Sequence, residues 1–299
     1  MSTTISVVIP VYNSSEYIAR TIESVLAQTH KPEEIIVVDN NSTDGTIEIV
    51  KQYPVTLLQE NEVQSSYAAR NKGINHARSE IIAFIDADCI AADNWIKEGV
   101  SALQSESADL AGGKVEFFFT GRKTTAQIWD SLAYLNVKSS IEKESFAPTA
   151  NLFVKSAVFE KIGNFNQNVK SGGDFLWTKK AVDSGYSLKY ASKAIVKHPT
   201  RKLKELLKKN FRIGTGYSHQ RIIRGFSLWH EVPYAFYRLL FVSVPLSYVR
   251  QKSEENNVRA EVAFGKILSI AYLCRMTSRF GSFVEIIHIL FKKRKNNIG

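Results

Sequence analysis

The stretch Ile81-Ile82-Ala83-Phe84-Ile85-Asp86-Ala87-Asp88 places two carboxylates directly after a run of apolar residues. Such a short apolar run, rich in β-branched residues, predicts a buried β-strand over residues 81–85. Carboxylates at the end of a buried strand are costly unless a cation or hydrogen bonds satisfy them. A divalent hard metal ion binds such oxygen ligands. An Asp-x-Asp pair alone is weak evidence for a metal site. Its position directly after a buried strand makes that evidence stronger.

The same alternation of strand and helix continues towards the N-terminus. Each predicted strand is apolar on both faces, which indicates an α/β fold with a mostly parallel, Rossmann-like sheet covered by helices on both sides. The predicted elements are strands over 5–11, 35–38 and 55–58, a helix capped by Ser14 or Ser15, and helices over 44–53 and 66–78.

Three of the predicted strands end in polar clusters, at residues 12–13, 39–44 and 86–88. Ligands of open parallel sheets bind beyond the carboxyl ends of the strands, so three such clusters favour a site at that edge. Turns and helix caps explain any single cluster equally well. No glycine-rich phosphate loop follows a strand, which argues against a P-loop NTPase and a dehydrogenase.

The second half of the chain has a less regular pattern. The two cysteines, Cys89 and Cys274, are too few for a disulfide scaffold or a cysteine-rich zinc module. The predicted elements are strands over 110–119 and 188–191, and helices over 125–137, over 156–162 and from about 175 to 183, just after Gly172-Gly173-Asp174.

Charge divides the chain sharply, although the formal net charge of +10 hides this. Residues 1–190 carry 18 basic and 23 acidic side chains, a net charge of −5. Residues 191–299 carry 21 basic and 6 acidic side chains, a net charge of +15. The basic region therefore needs an explanation of its own.

Three interpretations of the basic region compete. It is a helical cap with solvated lysines, a membrane-surface region, or a nucleic-acid-binding region. No nucleic-acid-binding motif is present, so we expect no nucleic-acid partner. Mixed aromatic and basic residues suit an anionic lipid headgroup layer, which favours a helical region on a membrane surface. The apolar segments 264–274 and 280–291 are too short or too charged for confident spans. The mixed aromatic and basic pattern consists of Phe226, Trp229, Tyr234, Phe236, Tyr237 and Phe241, interleaved with Arg221, Arg224 and Arg238.

A series of motifs resembles the family 2 glycosyltransferases, which are inverting enzymes of the GT-A fold. The similarity covers about residues 4–217, and the order of several motifs makes it far more specific than any one of them. This coverage implies two domains, a GT-A glycosyltransferase domain over residues 1–217 and a basic, aromatic helical region over residues 218–299. The motifs are Pro10-Val11-Tyr12-Asn13, Val37-Val38-Asp39-Asn40-Asn41-Ser42-Thr43-Asp44-Gly45-Thr46, Ala69-Arg70-Asn71-Lys72-Gly73, Phe84-Ile85-Asp86-Ala87-Asp88, Ala150-Asn151-Leu152-Phe153-Val154, Ile162-Gly163-Asn164-Phe165 and Gly172-Gly173-Asp174-Phe175.

The resemblance implies a nucleotide-sugar donor and assigns residues to it. The first turn borders the nucleobase, Asp39 accepts a hydrogen bond from the base, and Arg70 with Asn71 lies near the diphosphate. Asp86 is then a donor contact, and Asp88 a ligand of Mn²⁺ or Mg²⁺. The implied donor-binding residues are Pro10, Tyr12, Asn13, Asp39, Asn41, Arg70, Asn71, Asp86 and Ala87.

Asp174 matches the general base of the family, which is commonly the Asp of a Glu-Asp pair, but Gly173 stands at the Glu position. A helix N-terminus favours a carboxylate there, although an ordinary helix cap explains the residue too. His198 matches a histidine that completes the metal or diphosphate site in many members. It precedes a basic helix containing Phe211-Arg212-Ile213-Gly214, which fits the family's Arg-x-Gly-like ending. A lone histidine is otherwise more often structural.

The implied activity is transfer of a single sugar to a hydroxyl of a glycan or lipid-linked acceptor in cell-envelope or exopolysaccharide synthesis. Asp39 can accept from either uracil or guanine, and uracil is the expected base. The Gln-x-x-Arg-Trp motif of processive synthases is absent. We expect a cytoplasmic protein, peripheral on the inner face of the membrane. Two alternatives stay open: a sugar nucleotidyltransferase, and a catalytically degenerate protein that binds membrane surfaces.

Overall fold

The computed structural model describes residues 3–105, 107–223, 225–255 and 264–296. The chain forms two compact units. The first comprises Met1–Phe118, Leu135–Asn168 and Gly173–Pro199, and the second comprises Phe119–Tyr134, Val169–Gly172 and Thr200–Gly299. The boundary at residues 217 and 218 stays a prediction.

Strands and helices alternate through the first unit, and helices make up most of the second. The strands are β1 (Ile5–Val11), β2 (Glu34–Asp39), β3 (Thr56–Gln59), β4 (Ile81–Ile85), β5 (Ile90–Ala91), β6 (Leu110–Phe118), β7 (Asn151–Lys155) and β8 (Leu188–Pro199). The helices are α1 (Ile18–Leu26), α2 (Thr46–Val50), α3 (Ser66–His76), α4 (Trp95–Ser105), α5 (Thr125–Ala133), α6 (Val137–Glu144), α7 (Ser156–Ile162), α8 (Gly173–Asp183), α9 (Leu203–Ile223), α10 (Leu228–Leu240), α11 (Leu246–Glu255) and α12 (Phe264–Asn296).

All of these strands form one sheet in the order β3-β2-β1-β4-β7-β6-β8-β5. Strands β3, β2, β1 and β4 are parallel, as their apolar sequences predict. Strand β7 runs antiparallel between β4 and β6, and β5 runs antiparallel to β8. The sheet is therefore mixed, with its parallel order concentrated in the N-terminal half.

A buried core covers the sheet and includes Trp95 on α4, which lies with its ring centroid 5.0 Å from that of Phe153. The indole N–H of Trp95 donates to Asn151 Oδ1 at 2.8 Å. The amide of Asn151 in turn donates to the carbonyls of Lys114 and Ala194, both at 2.9 Å. These carbonyls flank a register shift between β6 and β8. The buried Asn151 amide therefore supplies hydrogen-bond donors to two carbonyls at a break in the β-ladder.

Five local predictions differ from the structure. The helix predicted over 44–53 spans only Thr46–Val50. Helix α1 begins at Ile18 after Tyr17, and no side chain caps it, so the expected capping by Ser14 or Ser15 is wrong. Instead the Ser14 carbonyl accepts from the first amides. The helix predicted over 125–137 ends at Ala133. Strand β8 continues eight residues beyond the predicted end at Ala191. The two apolar segments after Phe264 are parts of one helix, α12.

The second unit is built largely from α5 and α9–α12. Asp130 on α5 is fully buried, and its carboxylate accepts from Lys209 Nζ at 3.2 Å and from the Arg201 main-chain N–H at 2.9 Å. Helices α9 and α12 approach closely at Gly214 and Gly281, where a Cβ atom would meet the main chain of the other helix. Among the described residues, no helix combines the length and apolar character needed to cross a membrane.

Candidate active site

The carboxyl ends of β1, β2 and β4 meet at one edge of the sheet, because these strands are parallel. In this register Pro10 pairs with Val38, and Val11 pairs with Asp39. The first two predicted polar clusters, after β1 and at the end of β2, therefore lie side by side. The third follows β4, the other neighbour of β1.

Asp39 offers an unsatisfied acceptor at this edge. Its side chain is only 1% exposed, and Oδ2 accepts from the Ser42 N–H at 3.1 Å. Its other oxygen, Oδ1, is buried and has no hydrogen-bond partner among the described residues. A buried acceptor without a partner costs roughly 1–3 kcal/mol. A ligand N–H donor would remove that cost.

The turn after β1 is held against the turn after β2. The Asn13 N–H donates to Ser42 Oγ at 2.9 Å, and Asn13 Oδ1 accepts from the Thr43 N–H at 2.7 Å. Asn13 and Asn41 have positive φ values of 46° and 64°, a conformation that asparagine tolerates better than most residues. Tyr12 remains 52% exposed beside this pair of turns. Both asparagines thus shape the loops.

Arg70 and Asp86 form a close ion pair, with Nη2 and Oδ1 2.5 Å apart. The Arg70 side chain is only 5% exposed, and its Nε is buried without a partner among the described residues. An arginine with a spare donor suits an anionic ligand. Ala87 is fixed by its carbonyl, which accepts from Thr21 Oγ1 at 2.8 Å.

Asn71 lies next to Arg70 on α3, but its polar atoms contact the protein main chain. Asn71 Nδ2 donates to the Phe165 carbonyl at 2.9 Å, and Oδ1 accepts from the Phe165 N–H at 3.0 Å. This pair of hydrogen bonds holds the loop before α8. The geometry supports a structural role for Asn71 in addition to the predicted place near a diphosphate.

Asp88, Cys89 and His198 form a cluster whose candidate ligand atoms all lie within 4.8 Å of one another. The ladder explains this convergence, because Ile90 on β5 pairs with Lys197 on β8 in antiparallel register. The next residue outward on each chain segment is Cys89 and His198 respectively. Oδ2 of Asp88 lies 3.5 Å from Nε2 of His198, and Oδ1 lies 3.8 Å from the Cys89 sulfur.

The tautomer of His198 follows from its surroundings. Its side chain is 1% exposed, and Nδ1 lies 2.6 Å from the Pro199 carbonyl, which only accepts hydrogen bonds. Nδ1 therefore carries a proton, and in the neutral ring Nε2 presents a lone pair towards Asp88. A lone pair that faces a carboxylate is an arrangement that a divalent cation stabilises, and a backbone partner on the other ring nitrogen is usual for histidine ligands. Asp88 and His198 thus fit a metal ion.

Asp174 lies in the first turn of α8, as predicted. Its Oδ1 accepts from the Tyr67 hydroxyl at 3.1 Å and from the Phe175 N–H at 3.0 Å. Burial raises the pKa of Asp174, and the Asp86 carboxylate contributes in the same direction. The Arg70 charge and the two hydrogen bonds act against this increase. Its other oxygen, Oδ2, has no hydrogen-bond partner among the described residues, and a carboxyl group with a raised pKa is suited to accept a proton there.

Sequence reasoning brought most of these residues to one edge but missed two, Tyr67 and Cys89. Tyr67 lies one turn before Arg70 on α3, which was the only available signal that it faces the same side. Cys89 directly follows the Asp-x-Asp pair, and this adjacency is the signal that places it near Asp88. Arg212, part of the Arg-x-Gly-like ending that the resemblance identifies, lies on α9 in the second unit.

Comparison with known proteins agrees with this geometry. The family model described as Glycosyl transferase family 2 matches residues 6–163. Glycosyltransferase AglE of Haloferax volcanii is 39% identical over 292 residues, which cover 95% of this chain and 96% of that protein. A UDP-Glc:alpha-D-GlcNAc-diphosphoundecaprenol beta-1,3-glucosyltransferase, WfaP of Escherichia coli, is 35% identical over 32% of this chain and 38% of its own length.

Solved structures show the same architecture. The mannosyltransferase PcManGT of Pyrobaculum calidifontis, in complex with GDP-Man and Mn²⁺, superimposes with a TM-score of 0.62. The match covers 94% of this chain and 87% of that one at 18% sequence identity, and it shows the GT-A fold. Family membership also removes the alternative of a sugar nucleotidyltransferase. With the family model and a relative matched over nearly its whole length, the chain belongs to glycosyltransferase family 2.

Proposed function

We propose that this protein is an inverting, metal-dependent glycosyltransferase that moves a single sugar from a nucleoside-diphosphate sugar to an acceptor hydroxyl. The observation that carries the proposal is the close approach of Asp88 Oδ2 to His198 Nε2, at 3.5 Å, near residues that fit the other parts of the reaction. Asp39 offers an acceptor for a base, Arg70 a cation for phosphate, and Asp174 a base for the acceptor.

The donor is held at three points in this proposal. Asp39 Oδ1 accepts the ring N–H of the nucleobase, which both uracil and guanine present, and Tyr12 borders the base. We favour uracil, as the motif resemblance implies. Arg70 uses its unpartnered Nε towards the diphosphate, while Asp86 fixes the guanidinium and contacts the sugar moiety.

Asp88 and His198 would hold Mn²⁺ or Mg²⁺ in this proposal. One carboxylate oxygen and one imidazole nitrogen suit Mn²⁺ better than Mg²⁺, because Mg²⁺ prefers oxygen ligands and retains water. When bound, such an ion neutralises the charge that develops on the leaving nucleoside diphosphate. The Mn²⁺ complex of the Pyrobaculum calidifontis enzyme, which shares the fold, is consistent with this choice.

Asp174 acts as the general base. Its Oδ2 accepts the proton of the acceptor hydroxyl as that oxygen attacks the anomeric carbon, and the carbon–oxygen bond to the diphosphate breaks. A single displacement of this kind inverts the anomeric configuration. The raised pKa of Asp174 makes the carboxylate a stronger base than an exposed aspartate.

A panel of nucleotide sugars tests the proposed activity directly. We expect one UDP-linked sugar to raise the melting temperature more with Mn²⁺ than without it, and mass spectrometry to detect transfer to an acceptor lipid or glycan extract. Asp174→Asn and Asp88→Ala should fold and lose transfer. Wild-type turnover in either variant removes the role assigned to that residue.

The acceptor is proposed to be a glycan or a lipid-linked sugar at an anionic membrane surface, in cell-envelope or exopolysaccharide synthesis. WfaP, by its name, acts on a diphosphoundecaprenol-linked sugar. On this chain, α10 and the residues after it carry an aromatic surface. Trp229 is 83% exposed, and the surface also comprises Phe236, Tyr237, Leu240 and Phe241, each at least half exposed.

Positive charge lies directly beside the aromatic surface. The Arg238 guanidinium lies 4.6 Å from the ring centroid of Tyr217 and 5.5 Å from that of Tyr234. Such aromatic and cationic mixtures bind the headgroup layer, where each basic residue contributes roughly 1 kcal/mol. Arg224, also part of the predicted pattern, lies outside the described residues. We propose a peripheral position on the cytoplasmic face of the membrane.

Flotation with vesicles containing phosphatidylglycerol tests this placement. The wild type should float with the vesicles at low salt and less at high salt. The double variant Trp229→Ser with Leu240→Ser should remain at the bottom, whereas the control Tyr272→Ser, an exposed tyrosine on α12, should float normally. Absence of flotation by the wild type at both salt concentrations contradicts the membrane proposal and leaves the transferase proposal intact.

A further inference from the structure

We propose that Tyr67 is a positioning residue for the base Asp174, and that Gly173 is present to make room for it. The inference rests on the proposed function only in treating Asp174 as the base. Tyr67 takes the place of the carboxylate that the resemblance leads one to expect at position 173.

The hydrogen bond sets the orientation of the Asp174 carboxyl group. The Tyr67 hydroxyl and the Phe175 N–H both donate to Oδ1, at 3.1 Å and 3.0 Å. Two donors on one oxygen fix the side-chain torsion and leave Oδ2 for the acceptor hydroxyl. A phenol offers one strong donor and holds it on a rigid ring, which suits this function.

The ring of Tyr67 occupies the space beside Gly173. An ideal Cβ atom on Gly173 would lie 2.8 Å from the Tyr67 ring, closer than real Cβ contacts. Tyr67 is 6% exposed and packs against Phe165 with ring centroids 5.9 Å apart, so the ring cannot easily retreat. Any side chain at position 173 would therefore move the phenol away from Asp174.

The electrostatic surroundings show why a neutral donor suits this position. The charged groups acting on Asp174 are Arg70, which favours the carboxylate, and Asp86, which disfavours it. A second carboxylate at position 173 would add to the effect of Asp86. The Tyr67 hydroxyl instead stabilises the ionised base without adding a charge.

The direct test follows the titration of Asp174 by carboxyl ¹³C NMR in protein labelled at aspartate, without any substrate. The Asp174 signal is assigned by its absence from Asp174→Asn. We expect Tyr67→Phe, which keeps the ring, to move the titration midpoint to higher pH. The control Tyr53→Phe removes another tyrosine–carboxylate hydrogen bond, to Glu23 at 2.7 Å, and should leave the Asp174 midpoint unchanged.

Gly173→Ala should move the midpoint in the same direction as Tyr67→Phe. Combining the two substitutions should move it no further, because the same hydrogen bond is already lost. Additive shifts, or an unchanged midpoint in Tyr67→Phe, would overturn the proposal. Circular dichroism and thermal melting establish that each variant is folded before it is titrated.

Kinetics separate this proposal from the proposed function. With the donor found by the panel, Tyr67→Phe should lower kcat by about tenfold, the equivalent of about 1.4 kcal/mol, with little change in KM. The acidic limb of its pH profile should move to higher pH. An active Asp174→Asn contradicts the proposed base, whereas an inactive Asp174→Asn with a wild-type profile for Tyr67→Phe contradicts only the role of Tyr67.

Discussion

Replacing Asp39 by Asn should weaken nucleotide binding and stabilise the unliganded protein. In the wild type, Oδ2 accepts from the Ser42 N–H, and Oδ1 is buried without a partner among the described residues. An asparagine amide keeps the Ser42 bond through its oxygen and directs its NH₂ group to the former position of Oδ1. A nucleobase N–H would then meet a donor instead of an acceptor.

The two effects have opposite signs and calculable sizes. A hydrogen bond to a charged group contributes about 1.5–3 kcal/mol, so Kd for UDP should rise by roughly 10- to 150-fold. Removing a buried, half-satisfied carboxylate should raise the free energy of unfolding by about 1 kcal/mol. Calorimetric titration with UDP and with GDP measures the affinity, and urea unfolding measures the free energy of unfolding. Unchanged affinity in Asp39→Asn would refute a base contact at this residue.

Three further predictions concern buried polar groups. Asp130→Asn should lower the free energy of unfolding by about 3 kcal/mol in urea, since it leaves Lys209 and the Arg201 N–H without their buried anion. Burial lowers the pKa of Lys209 to about 7, below its pKa in the unfolded chain. Between these two pKa values the unfolded state binds more protons than the folded state. The free energy of unfolding should therefore rise with pH, by up to about 1.4 kcal/mol per pH unit. Asn71→Ala should cost about 2 kcal/mol in urea unfolding, because both main-chain polar groups of Phe165 lose a buried partner.

Matched variants make these three predictions specific. Asp183→Asn removes an exposed pair with Lys179 and should cost less than about 0.5 kcal/mol, in contrast to Asp130→Asn. Lys209→Met should lack the rise in stability between pH 7 and pH 9. A rise of the same size in that variant contradicts the assignment to Lys209. Wild-type stability of Asn71→Ala would show that its two hydrogen bonds contribute nothing measurable.

Local sequence pattern predicted the part of the fold that apolar runs determine. The strands over 5–11 and 81–85 have the predicted bounds, because each is a short, largely apolar segment rich in β-branched residues. Parallel pairing of such strands then brought Asp39 and Asp86 to one edge without any knowledge of the loops. Helix boundaries were less accurate, since capping at Tyr17 involves no side-chain hydrogen bond.

The convergence of Asp88 and His198 was beyond prediction from local pattern. Strand β8 was expected to end at Ala191, because polar Ser192 and Lys193 interrupt it. In the structure, the pairing of β6 with β8 shifts register at this interruption, opposite Gly113, and the ladder then continues to Pro199. Only that long-range pairing places His198 opposite the end of the Asp-x-Asp segment, and only the motif resemblance anticipated it.

The anomeric configuration of the first product tests single displacement with Asp174 as the base most directly. With Mn²⁺ and an α-linked UDP-sugar selected by the panel, water serves as a slow acceptor, and ¹H NMR resolves the released sugar before it mutarotates. We predict that the β-anomer appears first and that Asp174→Asn releases none. Initial release of the α-anomer, or equal release by Asp174→Asn, would contradict single displacement with Asp174 as the base.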